Sequence, residues 1–404
     1  MTFAIIRSVF VLAITLTVGT DVALAEKKND PGVTDTEIKI GQTVAYSGPV
    51  SAWGTIGRTQ AAYFRKVNDE GGINGRRVNF VSLDDGYLPA KTVEQVRKLI
   101  EQEEVFALFQ TIGTAPNAAI QNYTNSRKVP VLFAGSLSDK IADPINYPWT
   151  MPWNPPASAD GGVYGKWLLK QKPDAKLAIL YQNDDLGKDY ARGVKSALGE
   201  KAPSMVVAEA SYETSDPTVD SQIISLKASG ADTLFAAVTP KFAAQAIRKV
   251  YDIGWRPTFL ISYPGSSIET VLKPAGLEKS TGLISAYFGI LDLRDRANDP
   301  AVQDYLAFMK KYYPEADPND GINIYGYTVA LTFVEILKRC ADDLTRANLM
   351  RQATSLNGLT NPMLLPGIKL TTSATDYHPI KQLQMMRFDG TRWMPFGEVI
   401  DAGR

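Results

Sequence analysis

The side chains that carry most enzyme chemistry are scarce in this sequence. It holds one histidine, His378, and one cysteine, Cys340. A lone histidine excludes a multi-histidine metal centre and leaves a serine–histidine–carboxylate triad without support. His378 stands in Asp376-Tyr377-His378-Pro379, a loop-like stretch where a structural or solvated imidazole is the simpler reading. Cys340 closes an apolar helical run that begins near Thr328, so it reads as a buried thiol; alone it forms no internal disulfide. Paired carboxylates, the minimum for acid–base work, occur at Asp84-Asp85 and Asp184-Asp185. Each pair follows an expected strand, where turns and helix N-termini draw acidic side chains, so a capping or turn role is expected. No G-x-x-x-x-G-K-[ST] and no G-x-G-x-x-G is present, which leaves phosphate-cradling loops unsupported. A carboxylate-only active site is the one enzymatic option these residues leave, and no metal or cofactor is expected.

What remains is binding, and the rest of the chain says where. Lysine plus arginine and aspartate plus glutamate balance at 43 each, which argues against a nucleic-acid or anionic-membrane partner. The first 25 residues have the outline of a secretory leader: Arg7, an apolar run over 8–18, and Ala23-Leu24-Ala25 as a cleavage signal. The apolar run is shorter than the ~20 residues of a membrane span. A mature chain of roughly 380 residues suggests two domains.

Strands alternate with helices. Ile38 to Val44, Val78 to Leu83, Val105 to Phe109 and Val129 to Phe133 read as strands, with helices over 57–69, 89–103 and 116–127 between them. A second run of the same kind has strands at 177–181, 205–208, 233–238 and 258–261. Such alternation predicts parallel βαβ units with helices on both sheet faces, and two runs predict two sheets. The proline-rich stretch Pro148 to Pro156 reads as the link between them. A long helix is expected near Gly326 to Cys340, and a terminal hairpin over 381–399 turns at Asp389-Gly390. In open parallel sheets, ligands sit beyond the carboxyl ends of the strands. Here those ends run into Ala45-Tyr46-Ser47-Gly48, Gly113 to Asn117 and Ala134 to Ser138, two of which lead into helix N-termini suited to an anion. Tyr46, Trp53 and Tyr87 offer walls for an apolar body.

Ile40 to Pro49 with Trp53-Gly54, Asn68 to Gly75, Asp84-Asp85, Gly113-Thr114 and Tyr181 to Tyr190 together resemble the leucine/isoleucine/valine-binding protein family, type I periplasmic proteins that feed ABC importers. The resemblance runs from about Val33 to the C-terminus. It implies two α/β lobes of doubly wound parallel sheet joined by three crossovers, with lobe 1 over 33–153 and 285–360 and lobe 2 over 154–284 and 361–404. It implies a small-molecule ligand between the lobes, an inner-membrane permease as partner, and no reaction; a monomer is expected. Carried over position by position, it places Trp53, Asn117, Gly135, Ser136, Ser138 and Asp139 against the ligand from lobe 1, with Tyr325 nearby. From lobe 2 it places Leu186, Thr239 and Tyr263. Amino-acid binders of the family hold an acid near the Tyr263 position to pair the ligand ammonium, and none stands there in Phe259 to Gly265. A buried ammonium without a counter-charge loses a charge-assisted hydrogen bond worth ~1.5–3 kcal/mol. The expected ligand is therefore a small organic carboxylate with an apolar or aromatic body. A branched-chain amino acid or amide, with Asp139 or Asp184 as substitute acid, and a ligand-sensing role for a membrane receptor stand as alternatives.

Overall fold

The computed structural model describes residues 28–290 and 292–402; the leader expected over 1–25 lies outside them. Two large sheets organise the described residues, beside a short parallel pair of Lys28–Asn29 with Asp343–Leu344. The first has five parallel strands: β1 (Glu37–Val44), β2 (Arg77–Asp84), β3 (Ala107–Phe109), β4 (Val131–Ala134) and β5 (Thr150–Pro152), in the order β2-β1-β3-β4-β5. The second has seven: β6 (Leu177–Gln182), β7 (Val206–Tyr212), β8 (Thr233–Ala237), β9 (Thr258–Ile261), β10 (Ile284–Tyr287), β11 (Gln382–Phe388) and β12 (Trp393–Asp401), in the order β12-β11-β10-β9-β8-β6-β7. Its last two strands are antiparallel and turn at Asp389-Gly390, as the sequence predicts. Strands β3 and β8 are buried along their whole length, as expected for strands covered on both faces.

Each sheet reverses its strand order beside its first strand, between β1 and β3 and between β6 and β8. Such switch points open a crevice at the carboxyl ends. Helices close the faces. In lobe 1, α1 (Gly54–Asp69) and α5 (Gly321–Arg339) pack together, and Phe333 of α5 stacks on Phe109 of β3 at 4.3 Å. Helix α2 (Thr114–Ser126) follows β3. In lobe 2, α3 (Ala157–Gln171) is tied to the sheet by Tyr164, whose hydroxyl donates to the Ile261 carbonyl (3.1 Å) and accepts from the Ala286 N–H (3.0 Å). Helix α4 (Asp185–Leu198) crosses α3 closely because Gly193 has no side chain: a Cβ there would meet the Ser158 carbonyl oxygen at 2.0 Å.

Three details differ from expectation. The proline-rich stretch is not link alone, since Thr150–Pro152 pairs with β4 as an edge strand, where proline's missing donor is tolerated. Residues 285–287 belong to the second sheet as part of β10, not to lobe 1. A short, fully buried apolar run has no alternation to announce it. Helix α5 begins at Gly321, a turn earlier than its apolar pattern suggests, because the Asp320 side chain accepts the Ile322 N–H (3.0 Å) as its cap.

Candidate functional site

The loops that leave the strand ends of both sheets meet across a cleft, and its inner end is a cavity partly open to solvent. From lobe 1 come Trp53 at the start of α1, Ile56, Ile112 after β3, Gly135 and Leu137 after β4, and Gly321, Ile322 and Tyr325 from α5. From lobe 2 come Tyr263, Pro264, Ser266 and Ser267 after β9 and Tyr287 at the end of β10, with Asn154 at the first crossover. The cavity is partly continuous with solvent and is lined from both sheets. None of the described residues that line it is charged. Aromatic rings dominate the walls. Trp53 is braced by Tyr87 at 5.8 Å, and Tyr263 packs on Tyr287 at 5.3 Å and edge-on to Phe288 at 5.4 Å.

The polar groups of the wall are few and mostly committed. Ser266 Oγ donates to the Tyr263 carbonyl (2.7 Å), Ser267 Oγ donates to Asp320 (2.8 Å), and the Tyr325 hydroxyl donates to Asn154 Oδ1 (3.1 Å). The Tyr263 hydroxyl is buried and has no hydrogen-bond partner among the described residues. Burial pushes its pKa up, so it holds its proton.

Outward along the cleft the chemistry changes. The Asp139 carboxylate accepts the Ser158 N–H at the start of α3 (3.2 Å) and meets Arg192 of α4 at 2.7 Å. Its backbone N–H donates to Asp189 (2.8 Å), which also pairs with Arg192 at 2.6 Å. Lys140 meets Asp185 at 3.1 Å. On the other side, Asp320 accepts from Ser267 and also from Thr270 (2.9 Å). These contacts join the lobes around the cavity.

Trp53, Gly135, Tyr263 and Tyr325 thus come together at the inner cavity. Ser136, Ser138 and Asp139 instead line the wider, polar outer cleft with Thr114 and Lys140. Asn117 does not reach the cleft: its amide donates to the Thr111 and Gly113 carbonyls, both at 2.8 Å, and its oxygen accepts from the Thr111 hydroxyl. It sits one turn inside α2, where a short amide finds local backbone before it finds a ligand. Leu186 packs into the lobe 2 core, and Thr239 is buried against the Tyr212 hydroxyl. Asp139 and Asp184, the acids available to replace a missing ammonium partner, are committed elsewhere. Asp184 caps α4 through the Gly187 N–H (3.2 Å) and accepts from Gln182 (2.6 Å).

The pair Asp84-Asp85 is also structural. Asp84 accepts from the Tyr46 and Gly86 N–H groups, the Ser47 hydroxyl and Lys91. Partial burial pushes its pKa up, but these bonds outweigh it and hold the carboxyl below its ordinary range. Asp85 accepts the Tyr87 N–H and the Thr92 hydroxyl, both at 2.9 Å, and so fixes Tyr87 in a left-handed backbone (φ 63°). Burial pushes the Cys340 thiol up to about 12, and its Sγ donates to the Ile336 carbonyl. Among the described residues no cluster of potential metal ligands occurs. No helix among them is long and apolar enough to cross a membrane.

Sequence reasoning missed Ile56, Ile112, Asn154, Pro264, Ser266, Ser267, Tyr287, Gly321 and Ile322. Leu137 lies inside the Gly135 to Asp139 strand end it proposed, and Asn154 inside the expected link. Tyr287 ends a strand it did not see, and the serines stand in the Tyr263 loop, where the polar run Ser262 to Ser267 was the available signal.

Comparison with known proteins places this geometry. The family described as periplasmic binding protein matches residues 37–392. Leu/Ile/Val-binding protein homolog 7 of Brucella suis is 22% identical over 315 residues, 75% of this chain and 77% of that protein. A branched-chain amino acid ABC transporter protein from Thermus thermophilus, solved with bound valine, superposes with a TM-score of 0.81 at 15% identity, over 91% of this chain and 97% of that one. An ABC transporter solute-binding protein from R. palustris in complex with benzoate gives 0.74 at 19% identity, over 89% and 96%. At these identities the solved structures establish the fold. The chain belongs to the periplasmic binding proteins, as a type I member of the leucine/isoleucine/valine-binding family.

Proposed function

We propose that this chain is the solute-capturing subunit of an ABC importer, exported to the periplasm. It closes as a monomer around a small organic carboxylate with an apolar or aromatic body and delivers it to a permease without changing it. The observation that carries this reading is the inner cavity, walled by Trp53, Ile56, Ile112, Tyr263, Tyr287 and Tyr325 and free of charged side chains among the described residues. Such walls favour an apolar body. A carboxylate does not require a cation, since neutral N–H and O–H donors stabilise its charged form. The similar R. palustris structure holds benzoate, which fits this class.

A second reading, a branched-chain amino acid, is favoured by the name of the Brucella relative and by the valine in the Thermus structure. Here its ammonium would meet serine oxygens and no carboxylate.

A thermal-shift panel of benzoate, 4-methyl-2-oxopentanoate, leucine and valine separates the two. A ligand at about 100 times its Kd adds ~2.7 kcal/mol of stability. The acids are expected to raise Tm and the amino acids to leave it unchanged; stabilisation by leucine or valine alone overturns the carboxylate reading.

A further inference from the structure

We propose that Tyr263 determines which polar group the captured solute carries: its hydroxyl is a donor set in the cavity wall for an acceptor oxygen on the solute. This rests on the inner cavity being the capture site. Tyr263 occupies a short turn (Tyr263–Gly265) directly after β9, is only 8% exposed, and is fixed between Tyr287 and Phe288. Its hydroxyl is buried without a hydrogen-bond partner, an arrangement that native proteins rarely leave unresolved.

Asp160, the carboxylate of α3 within electrostatic reach of Tyr263, forms no hydrogen bond with it, and the groups of the cavity wall narrow what a solute has to offer. The hydroxyl protons of Ser266, Ser267 and Tyr325 already go to protein oxygens. Asn154, whose Oδ1 accepts from Tyr325, carries an NH2 group as a second donor in the cavity wall. The wall therefore holds two donors, the Tyr263 O–H and the Asn154 N–H, and no charged side chain among the described residues that line it. A carboxylate, ketone or amide oxygen satisfies both donors. An ammonium brings only further donors. Selection is then by hydrogen-bond direction, not by charge pairing.

The test is isothermal titration of wild-type protein and Tyr263→Phe with benzoate, 4-methylpentanoate, 4-methyl-2-pentanone and 3-methylbutylamine. The variant keeps the ring and loses only the oxygen, and its melting curve checks the fold. If Tyr263 is the donor, Tyr263→Phe weakens the oxygen-bearing probes about tenfold, one good hydrogen bond. The amine does not bind either protein. Equal affinity of wild type and variant for every probe that binds overturns the donor role. Capture of small carboxylates is judged separately, by whether the acids bind wild type at all. If only the ketone binds, that reading fails while the tenfold ratio still decides the role of Tyr263. Binding of the amine, or of no probe, overturns the proposal.

Discussion

At its inner end the cleft closes on Trp53, Ile56, Tyr263 and Tyr287; at its outer end it closes on Asp139, Lys140, Asp185 and Arg192. The inner walls are uncharged and largely buried. The outer pairs stand largely in solvent, with Lys140 74% and Arg192 54% exposed on their side chains, although the Asp189 carboxylate that Arg192 also meets is buried. Burial makes the inner contacts strong and selective, because each mismatched polar group there stays unsolvated. Exposure makes the outer pairs weak and salt-sensitive, worth ~0–1 kcal/mol each. The two ends thus divide the work: the inner end recognises, and the outer end adds a small bias toward closure. Asp320 is the intermediate case, a buried carboxylate that caps α5 and accepts two hydroxyls from the other lobe.

The largest expected effect tests whether an uncharged inner end depends on keeping acids out of it. Asp160 of α3 is fully buried within electrostatic reach of Tyr263; it accepts from the Tyr190 hydroxyl, and its other oxygen has no partner. Burial pushes its carboxyl from 3.8 up to about 7. Between those values the native state holds a proton that the unfolded chain has released, so stability falls as pH rises from about 4 to 7 and levels off above. Asp160→Asn should flatten that slope and stabilise the protein at pH 8 by on the order of 2–4 kcal/mol. Denaturant melts at pH 5 and 8 measure it; an unchanged slope shows that Asp160 is ionised in the native state.

Trp53→Ala removes one wall of the cavity and should weaken solute binding by on the order of 2 kcal/mol, about thirtyfold in Kd, with little change in Tm. Titration calorimetry reads it. Asp320→Ala should cost about 1–2 kcal/mol, divided between helix capping and closure, seen as a lower Tm and a weaker Kd together. Arg192→Ala should weaken binding no more than about fivefold at low salt, with the difference shrinking near 0.5 M salt. Lys140→Ala should change Kd by less than a factor of two. If Lys140 or Arg192 proved as costly as Trp53, the division between the two ends would be wrong.

Much of the architecture could be read from the chain. Helix and strand alternation, the Asp-Gly hairpin, the turn role of Asp84-Asp85 and the helix cap by Asp184 rest on local chemistry, which sequence expresses directly. The residues of the cleft depend on which way each loop side chain faces, and that is set by backbone angles that the sequence does not announce. Gln110 and Phe133, at the ends of β3 and β4, both have left-handed backbones (φ 47° and 57°). At Phe133 the pairing with β5 shifts register, so the alternation of the strand does not continue into Gly135 to Asp139. Leu137 then faces the cavity, while Ser136 and Ser138 face the outer cleft. Asn117 illustrates the same point: its place after a strand end suits an anion site, but three local hydrogen bonds turn it inward.

The location of the solute is the central claim, and a crystal structure of the protein with benzoate or a co-purified solute tests it most directly. The expected result is density between Trp53 and Tyr287, with an acceptor oxygen within hydrogen-bond distance of the Tyr263 hydroxyl and the Asn154 amide. Density in the outer cleft, against Ser136, Ser138 and Lys140, would contradict the account.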